Sequence, residues 1–255
     1  KVINLLEDCG FGYLKVDYNE TAGVGCDHFD SLGEGLRRQV EGSYRFFEKI
    51  RERMPDLVIE NCSSGGHRLE PSMMALTAMS SFSDAHELVE IPIIAANLHR
   101  LLLPRQNQIW AVLHPQDPPQ RLVYSLAATF LGRMCLSGGI ERLPDESWRL
   151  VLYAIALYRK SAPVIKHGVS RRFGRTGESW RHPEGWQAVV RRSDTRALVV
   201  VHTFAHAPED IEIPLDGAWE VEASLGGETP VLEDGTLRFH PSGDFAGSVW
   251  LLRKT

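Results

Sequence analysis

Five apolar strand-like runs, each separated from the next by a helix-period segment, fill roughly the first 165 residues, and this alternation constrains the fold more than any other feature. The runs lie in "GYLKVDYN", "LVIENCSSGG", "MALTAMSSFSD", "QIWAVL" and "RMCLSGG". A helix is expected from about Gly35 to Met54, with Leu36, Val40, Phe47, Ile50 and Met54 as its buried stripe. Further helices are expected from about Glu87 to Leu103, over "PPQRLVYSLAATFLG" and over "ESWRLVLYAIALYRKSAP". No hairpin signal joins neighbouring strands, so they form a parallel sheet or barrel. After Pro163 the texture changes. "WQAVVRR", "ALVVVHTF", "IEIPL", "WEVEASL", "TLRFH" and "GSVWLLRK" are short strands between Gly, Pro and Asp turns. The expected fold is α/β: a partial TIM (β/α)8 barrel over residues 1–168, then a small antiparallel β-sandwich over 169–255.

Composition narrows the function. A net charge of −5 gives no reason to expect a nucleic-acid or membrane-surface partner. No apolar run reaches the ~18 residues of a membrane span. Hydrophobic residues make up 43% of the chain, enough for a packed core. Cys9, Cys26, Cys62 and Cys135 form no CxxC pair, and they read as free thiols in a reducing, cytoplasmic compartment. His202 and His206, four apart in "HTFAH", read as polar surface of a strand rather than as metal ligands. The chain opens inside an amphipathic helix, which suggests a piece of something longer.

The polar residues fall at one end of the strands. Lys15, Asp17 and Asn19 alternate along "YLKVDYN" and so share one strand face, opposite Leu14, Val16 and Tyr18. A charged row on so apolar a strand needs solvent or a task. The second strand closes in Cys62, Ser63, Ser64, Gly65 and Gly66, followed by His67, Arg68 and Glu70; the third is expected to end at Asp84. In a parallel barrel, chemistry collects at the C-terminal ends of the strands. Two carboxylates, Asp17 and Asp84, therefore stand at one mouth, as glycosidic bond cleavage requires. Each residue also has a plainer reading. Asp17 suits an ion pair with Lys15, Asp84 suits a helix cap, and "CSSGG" suits a tight turn.

Taken together, "KVDYN", "CSSGGHRLE" and "SFSD" resemble the three signature blocks of glycoside hydrolase family 36, the bacterial α-galactosidases, in order and at similar separations. Those blocks run K-W-D-x-N, C-S-x-G-G-G-R-x-D and W-x-S-D. The resemblance implies that Asp17 is the nucleophile and Asp84 the acid/base of a retaining hydrolase. It implies that Lys15, Asn19, Cys62, Gly65, Gly66 and Arg68 bind the sugar. It also implies that the strands are the fourth to eighth of a barrel whose first three are absent, and that the chain is the C-terminal part of an enzyme, inactive alone. His67 stands for a third glycine, Glu70 for Asp and Phe82 for Trp. These departures bear on the sugar preferred, and leave α-N-acetylgalactosaminidase specificity open. Raffinose-type galactosyl transfer and a non-catalytic sugar-binding remnant are the other readings.

The chemistry fits these residue types. A carboxylate below the anomeric carbon captures its developing positive charge, and Lys15 nearby favours the ionised form. Asp84 must hold and donate a proton, which desolvation beside Phe82 would assist. No metal or cofactor is required, and the expected partner is a galactose-containing oligosaccharide or glycoside. Five strands cannot close a small barrel, so self-assembly or a partner chain is expected to cover the two open edges.

Overall fold

The structure is a computed structural model that describes residues 1–17, 30–84, 89–176, 181–227 and 229–255, with Leu32 described in its backbone only. The molecule divides into two compact units, Lys1–Asp84 and Ala85–Thr255.

In the first unit, helix α1 (Val2–Asp8) stops at Gly10, whose φ of +66° suits a residue without a Cβ. Strand β1 (Tyr13–Asp17) follows, then α2 (Leu32–Arg53), β2 (Val58–Cys62), α3 (Pro71–Leu76) and β3 (Met79–Ser81). The Ser31 side chain caps α2 by accepting the Glu34 N–H at 3.1 Å. β1 and β2 pair in parallel, with Lys15 opposite Glu60 and Asp17 opposite Cys62, and β2 pairs in parallel with β3. Val16, Phe47, Ile50, Leu57, Ile59 and Met73 form the core between strands and helices. The buried stripe of α2 is shorter than expected: Leu36 and Val40 are exposed, and burial begins at Phe47. β3 is also shorter. Its start is cut back because "MAL" has joined α3, and it ends at Ser81 rather than Asp84.

The second unit opens with α4 (Ile91–Leu98), with Pro92 in its first turn, where a missing N–H costs nothing. The expected run to Leu103 is cut at Leu98; a single 3₁₀ turn at Pro104–Gln106 then leads into β4 (Asn107–Leu113). Helix α5 (Pro119–Thr129), β5 (Arg133–Gly138) and α6 (Asp145–His167) follow, and β4 pairs with β5 in parallel. Gly168 separates α6 from β6 (Val169–Arg175). Then come β7 (Trp186–Arg192), β8 (Arg196–Thr203), β9 (Ile211–Pro214), β10 (Trp219–Leu225), β11 (Val231–Glu233), β12 (Thr236–Phe239) and β13 (Gly247–Lys254). They make a five-stranded antiparallel sheet, β10-β13-β8-β7-β6, and a three-stranded one, β11-β12-β9. The two sheets share one core, in which Val199, Val201 and Trp250 meet Ile213, Leu237 and Phe239. β6 and β11 were not visible as strands in the sequence, since both are short of buried apolar residues.

α5 and α6 lie against the outer face of the five-stranded sheet, which is why the unit boundary falls at Asp84 and not between helix and sheet. His202 is fully buried there, correcting the surface reading: its Nε2 lies 3.2 Å from the Tyr124 carbonyl, and the two rings meet edge to face. Its partner in "HTFAH", His206, sits in a turn with φ of +57°. Among the described residues, no helix is long and apolar enough to cross a membrane, and no cluster of three His, Cys, Asp or Glu could hold a metal. Cys9, Cys62 and Cys135 are free thiols.

Candidate active site

The two faces of the first unit's sheet differ in kind. Leu14 and Val16 turn to the helices and join the apolar core. Tyr13, Lys15 and Asp17 turn the other way. Strand register places Val58, Glu60 and Cys62 beside them on the same face. Glu60 is the centre of this face. It is only 3% exposed, yet it is surrounded by partners. The Tyr13 hydroxyl donates to its Oε2, the Ser81 hydroxyl donates to Oε1 at 3.3 Å, and Lys15 Nζ lies 3.8 Å from Oε1. Lys15 Nζ is also 3.8 Å from Asp17 Oδ2, so one ammonium spans both carboxylates. The plain reading of Asp17 as an ion pair with Lys15 is what the structure shows. About a third of the Asp17 side chain remains open to solvent.

The Cys62 thiol completes the surroundings of Asp17. Burial pushes it above its ordinary pKa. The Gly65 N–H and the Lys15 ammonium pull it down, while the Asp17 carboxylate, which accepts from the thiol, adds to the rise. Cys62 is thus a neutral donor aimed at Asp17, not a nucleophile.

The turn after Cys62 reaches the second carboxylate. Ser64 has φ of +44°, Gly65 +58° and Gly66 +113°. A Cβ on Gly65 would lie 2.3 Å from the Ser83 carbonyl carbon and 2.6 Å from the Asp84 nitrogen, and one on Gly66 would lie 2.6 Å from the Phe82 oxygen. Only glycine allows so close an approach of two backbones. One end of the Cys62–Gly66 turn touches Asp17 and the other packs on the backbone of Asp84. The turn is held from behind: the Arg68 guanidinium donates to the Cys62 carbonyl, Asn61 Nδ2 donates to the Arg68 carbonyl at 2.5 Å, and the His67 N–H donates to the Ser63 carbonyl at 3.2 Å. Arg68 thus braces the turn.

Asp84 lies three residues beyond β3 and is exposed, while Phe82 is buried. The expected desolvation of Asp84 by Phe82 is not seen. Nor does Asp84 cap α4, whose N-cap is Glu90. Glu70, which stands for the expected Asp, accepts from the Tyr44 hydroxyl at 2.9 Å. Asn19 lies outside the described residues. The sequence reading missed Glu60. Its signal was there, as the lone acid in the apolar run "LVIENC", but only the register with Lys15 shows why it is tolerated.

Residues 1–168 match the model of the family described as Melibiase. Similar curated proteins include Alpha-galactosidase 2 of Pediococcus pentosaceus, 33% identical over 165 residues, which cover 62% of this chain and 23% of that protein. Probable alpha-galactosidase G of Emericella nidulans is 26% identical over 257 residues, covering 96% of this chain and 32% of that one. The chain therefore spans about a quarter to a third of the length of these relatives. Among solved structures, the α-galactosidase of Lactobacillus brevis superposes with a TM-score of 0.83 at 16% identity. The glycoside hydrolase family 36 α-galactosidase AgaA of Geobacillus stearothermophilus, in complex with 1-deoxygalactonojirimycin, gives 0.80 at 19%. Both cover 100% of this chain and 37% of the other, and show that the fold is shared throughout.

Proposed function

The chain belongs to the melibiase family, and we propose that it carries the nucleophile and the acid/base of a retaining α-galactosidase. The observation that carries this reading is the turn from Cys62 to Gly66, which meets Asp17 through the Cys62 thiol and Asp84 through the Gly65 backbone. Such a turn fixes two carboxylate-bearing segments against one short rigid wall, the arrangement a two-carboxylate displacement needs. On this reading residues 1–168 supply strands four to eight of a (β/α)8 barrel, and 169–255 form a β-sandwich behind it. The face bearing Lys15, Glu60 and Asp17 looks into the barrel.

In the first step an Asp17 oxygen attacks the anomeric carbon of a terminal α-galactoside. The bond to the leaving oxygen breaks, and Asp84 gives that oxygen its proton. In the second step Asp84 takes a proton from water, whose oxygen attacks the same carbon and releases Asp17. Lys15, held by Glu60, keeps the Asp17 carboxylate aimed and donates to sugar hydroxyls. Asn19, Cys62, Gly65 and Gly66 line the sugar, and Arg68 supports the turn. The substrates of this reading are galactose-containing oligosaccharides; raffinose and stachyose are bound by two AgaA variants of similar fold. The free thiols suit a reducing compartment, and we place the protein in the cytoplasm.

The test uses the protein that contains this chain and a nitrophenyl α-galactoside. Asp17→Gly removes the nucleophile and lowers kcat/KM by about 10⁴-fold or more. Azide then attacks directly and gives the inverted β-galactosyl azide. Asp84→Ala still forms the covalent intermediate with an activated leaving group, and azide gives the retained α-galactosyl azide. Reversed configurations would exchange the two roles. No rescue of either folded variant would end the two-carboxylate reading.

A further inference from the structure

Several arginines of this acidic chain sit beside a carboxylate: Arg37 and Arg38 contact Glu34, Arg53 contacts Glu7, Arg196 contacts Glu222 and Arg253 contacts Glu220. One set does not. Within the second unit, a groove of about 420 Å³ runs between the end of α4 with its following loop and strands β6 and β7. Arg100, Arg171, Arg172 and Arg191 line it, and none of its lining residues is acidic. Among the described residues, only Arg171 of these four has a carboxylate at hand, that of Asp216 at 3.2 Å. Arg105, on the same loop, forms no ion pair among the described residues, and its charge is felt by Arg191.

Arg191 is the built part of the groove. It is 8% exposed, yet all its partners are neutral. Nε donates to the carbonyls of Val164 at 3.0 Å and Ile165 at 2.9 Å, in the last turns of α6, where the helix dipole favours a cation. Nη1 donates to the Ser170 hydroxyl at 2.9 Å. Ser170 is in turn 3.1 Å from His99 Nδ1, and His99 Nε2 donates to the Leu131 carbonyl. The hydrogen directions follow: Nδ1 accepts from Ser170, whose oxygen accepts from Arg191. The guanidinium is therefore fixed on one edge, while Nη2 has no acceptor among the described residues. Burial, and then the charge of Arg105, lowers the Arg191 pKa to about 10. Arg172 donates to Asn97 Oδ1 at 2.5 Å, and burial followed by the charge of Arg100 lowers its pKa as well. Converging guanidinium groups without a counter-ion repel one another, and a multivalent oxyanion between them would relieve that repulsion.

We propose that this groove binds the phosphoryl group of a small molecule, held by Arg191, Arg172 and Arg100. Phosphate supplies several acceptor oxygens and up to two negative charges, and guanidinium forks match it in a bidentate way. The groove is larger than one phosphoryl group needs, so it also has room for an organic substituent. The site lies wholly in the second unit and does not depend on the carboxylate chemistry proposed above.

Calorimetric titration with inorganic phosphate and with glucose 6-phosphate, at ionic strength matched by chloride, tests the proposal. Both should bind, and unphosphorylated glucose should not. Tighter binding of the sugar phosphate would identify a phosphate ester as the ligand; equal binding would identify free phosphate. Arg172→Gln and Arg100→Gln change exposed side chains and leave the fold intact, and each should weaken binding about tenfold. Arg191→Lys keeps a buried cation but loses the fork, and should weaken binding at least as much. Arg142→Gln, outside the groove, should change nothing. Absence of binding, or wild-type affinity in both Arg100→Gln and Arg172→Gln, would overturn the proposal.

Discussion

β2 and β8 are each buried along nearly their whole length, but what covers them differs. One face of β8 sends Ala197, Val199 and Val201 into the core between the antiparallel sheets. Its other face, with Leu198, Val200 and His202, lies under α5 and α6. His202, polar and fully buried on the second of those faces, is held by the Tyr124 carbonyl. β2 buries Ile59 against the helices in the same way, but its other face carries Glu60 and Cys62. A carboxylate out of water is costly unless partners surround it, and Tyr13, Ser81 and Lys15 do so. Burial alone thus says little about a strand's role. In the second unit it holds the sheets together; in the first it holds a charged face in place around Glu60.

The largest effect that could break this comparison is on the apolar side. Trp250 is fully buried between the two sheets, packed edge to face on Phe239 at 4.7 Å between centroids. Trp250→Ala should cost about 3–5 kcal/mol, read from the midpoint of urea unfolding. A cost below about 1 kcal/mol would mean that the sheets do not share a cooperative core.

His202 gives the next effect, and it depends on pH. Burial lowers its pKa from an ordinary 6.5 to about 4, against the opposing pull of the Tyr124 carbonyl. Between those values the unfolded chain binds a proton that the folded chain does not, so stability rises with pH. Its contribution is complete above pH 6.5, and is lost as pH falls toward 4 by about 1.4 kcal/mol per pH unit. Unfolding measured across this window should show the slope, and His202→Gln should flatten it. An unchanged slope in the variant would assign the acid sensitivity elsewhere.

Glu60→Gln sharpens the other half. Glutamine keeps the size and can accept from Tyr13 or Ser81, but leaves Lys15 without its buried counter-charge. The expected cost is about 1–3 kcal/mol. In the protein containing this chain, KM for an α-galactoside should rise as well, because Lys15 is no longer held in place. Retention of both stability and KM would show that Glu60 is a bystander.

Much of this was legible from period and punctuation. The five parallel strands and the long helices follow from apolar spacing, and the glycines at 65 and 66 mark the turn that the backbone demands. Three features were not legible, each for a physical reason. The start of β3 depended on competition with α3 for the same residues, and "MAL" suits either element. The burial of His202 depended on helices far away in sequence. Glu60 was hidden because its stability comes from a neighbouring strand, through a register that one sequence does not print. The position of Asp17 at a strand end was readable, whereas Asp84 lies three residues past β3; the turn between them took form only when Gly65 was seen against Ser83 and Asp84.

The smallest effect concerns the stripe on α2. Helical spacing puts Leu36 and Val40 in line with Phe47 and Ile50, yet they are 45% and 43% exposed while the latter pair is fully buried. Val40→Gln therefore removes little packing. Glutamine is also a slightly better helix former than valine, so stability should stay within about 0.5 kcal/mol of the parent. Phe47→Ala, one stripe position further along, should cost about 3–5 kcal/mol, which makes the two a matched pair on one helix. Unfolding of the Val40 variant at low and high protein concentration completes the test. A cost above about 1 kcal/mol that appears only at high concentration would mean that a second copy covers this end of α2. The same cost at both concentrations would mean that the end of the helix is packed within the chain. In either case the boundary between the apolar and the open half of α2 would move from Phe47 toward Leu36.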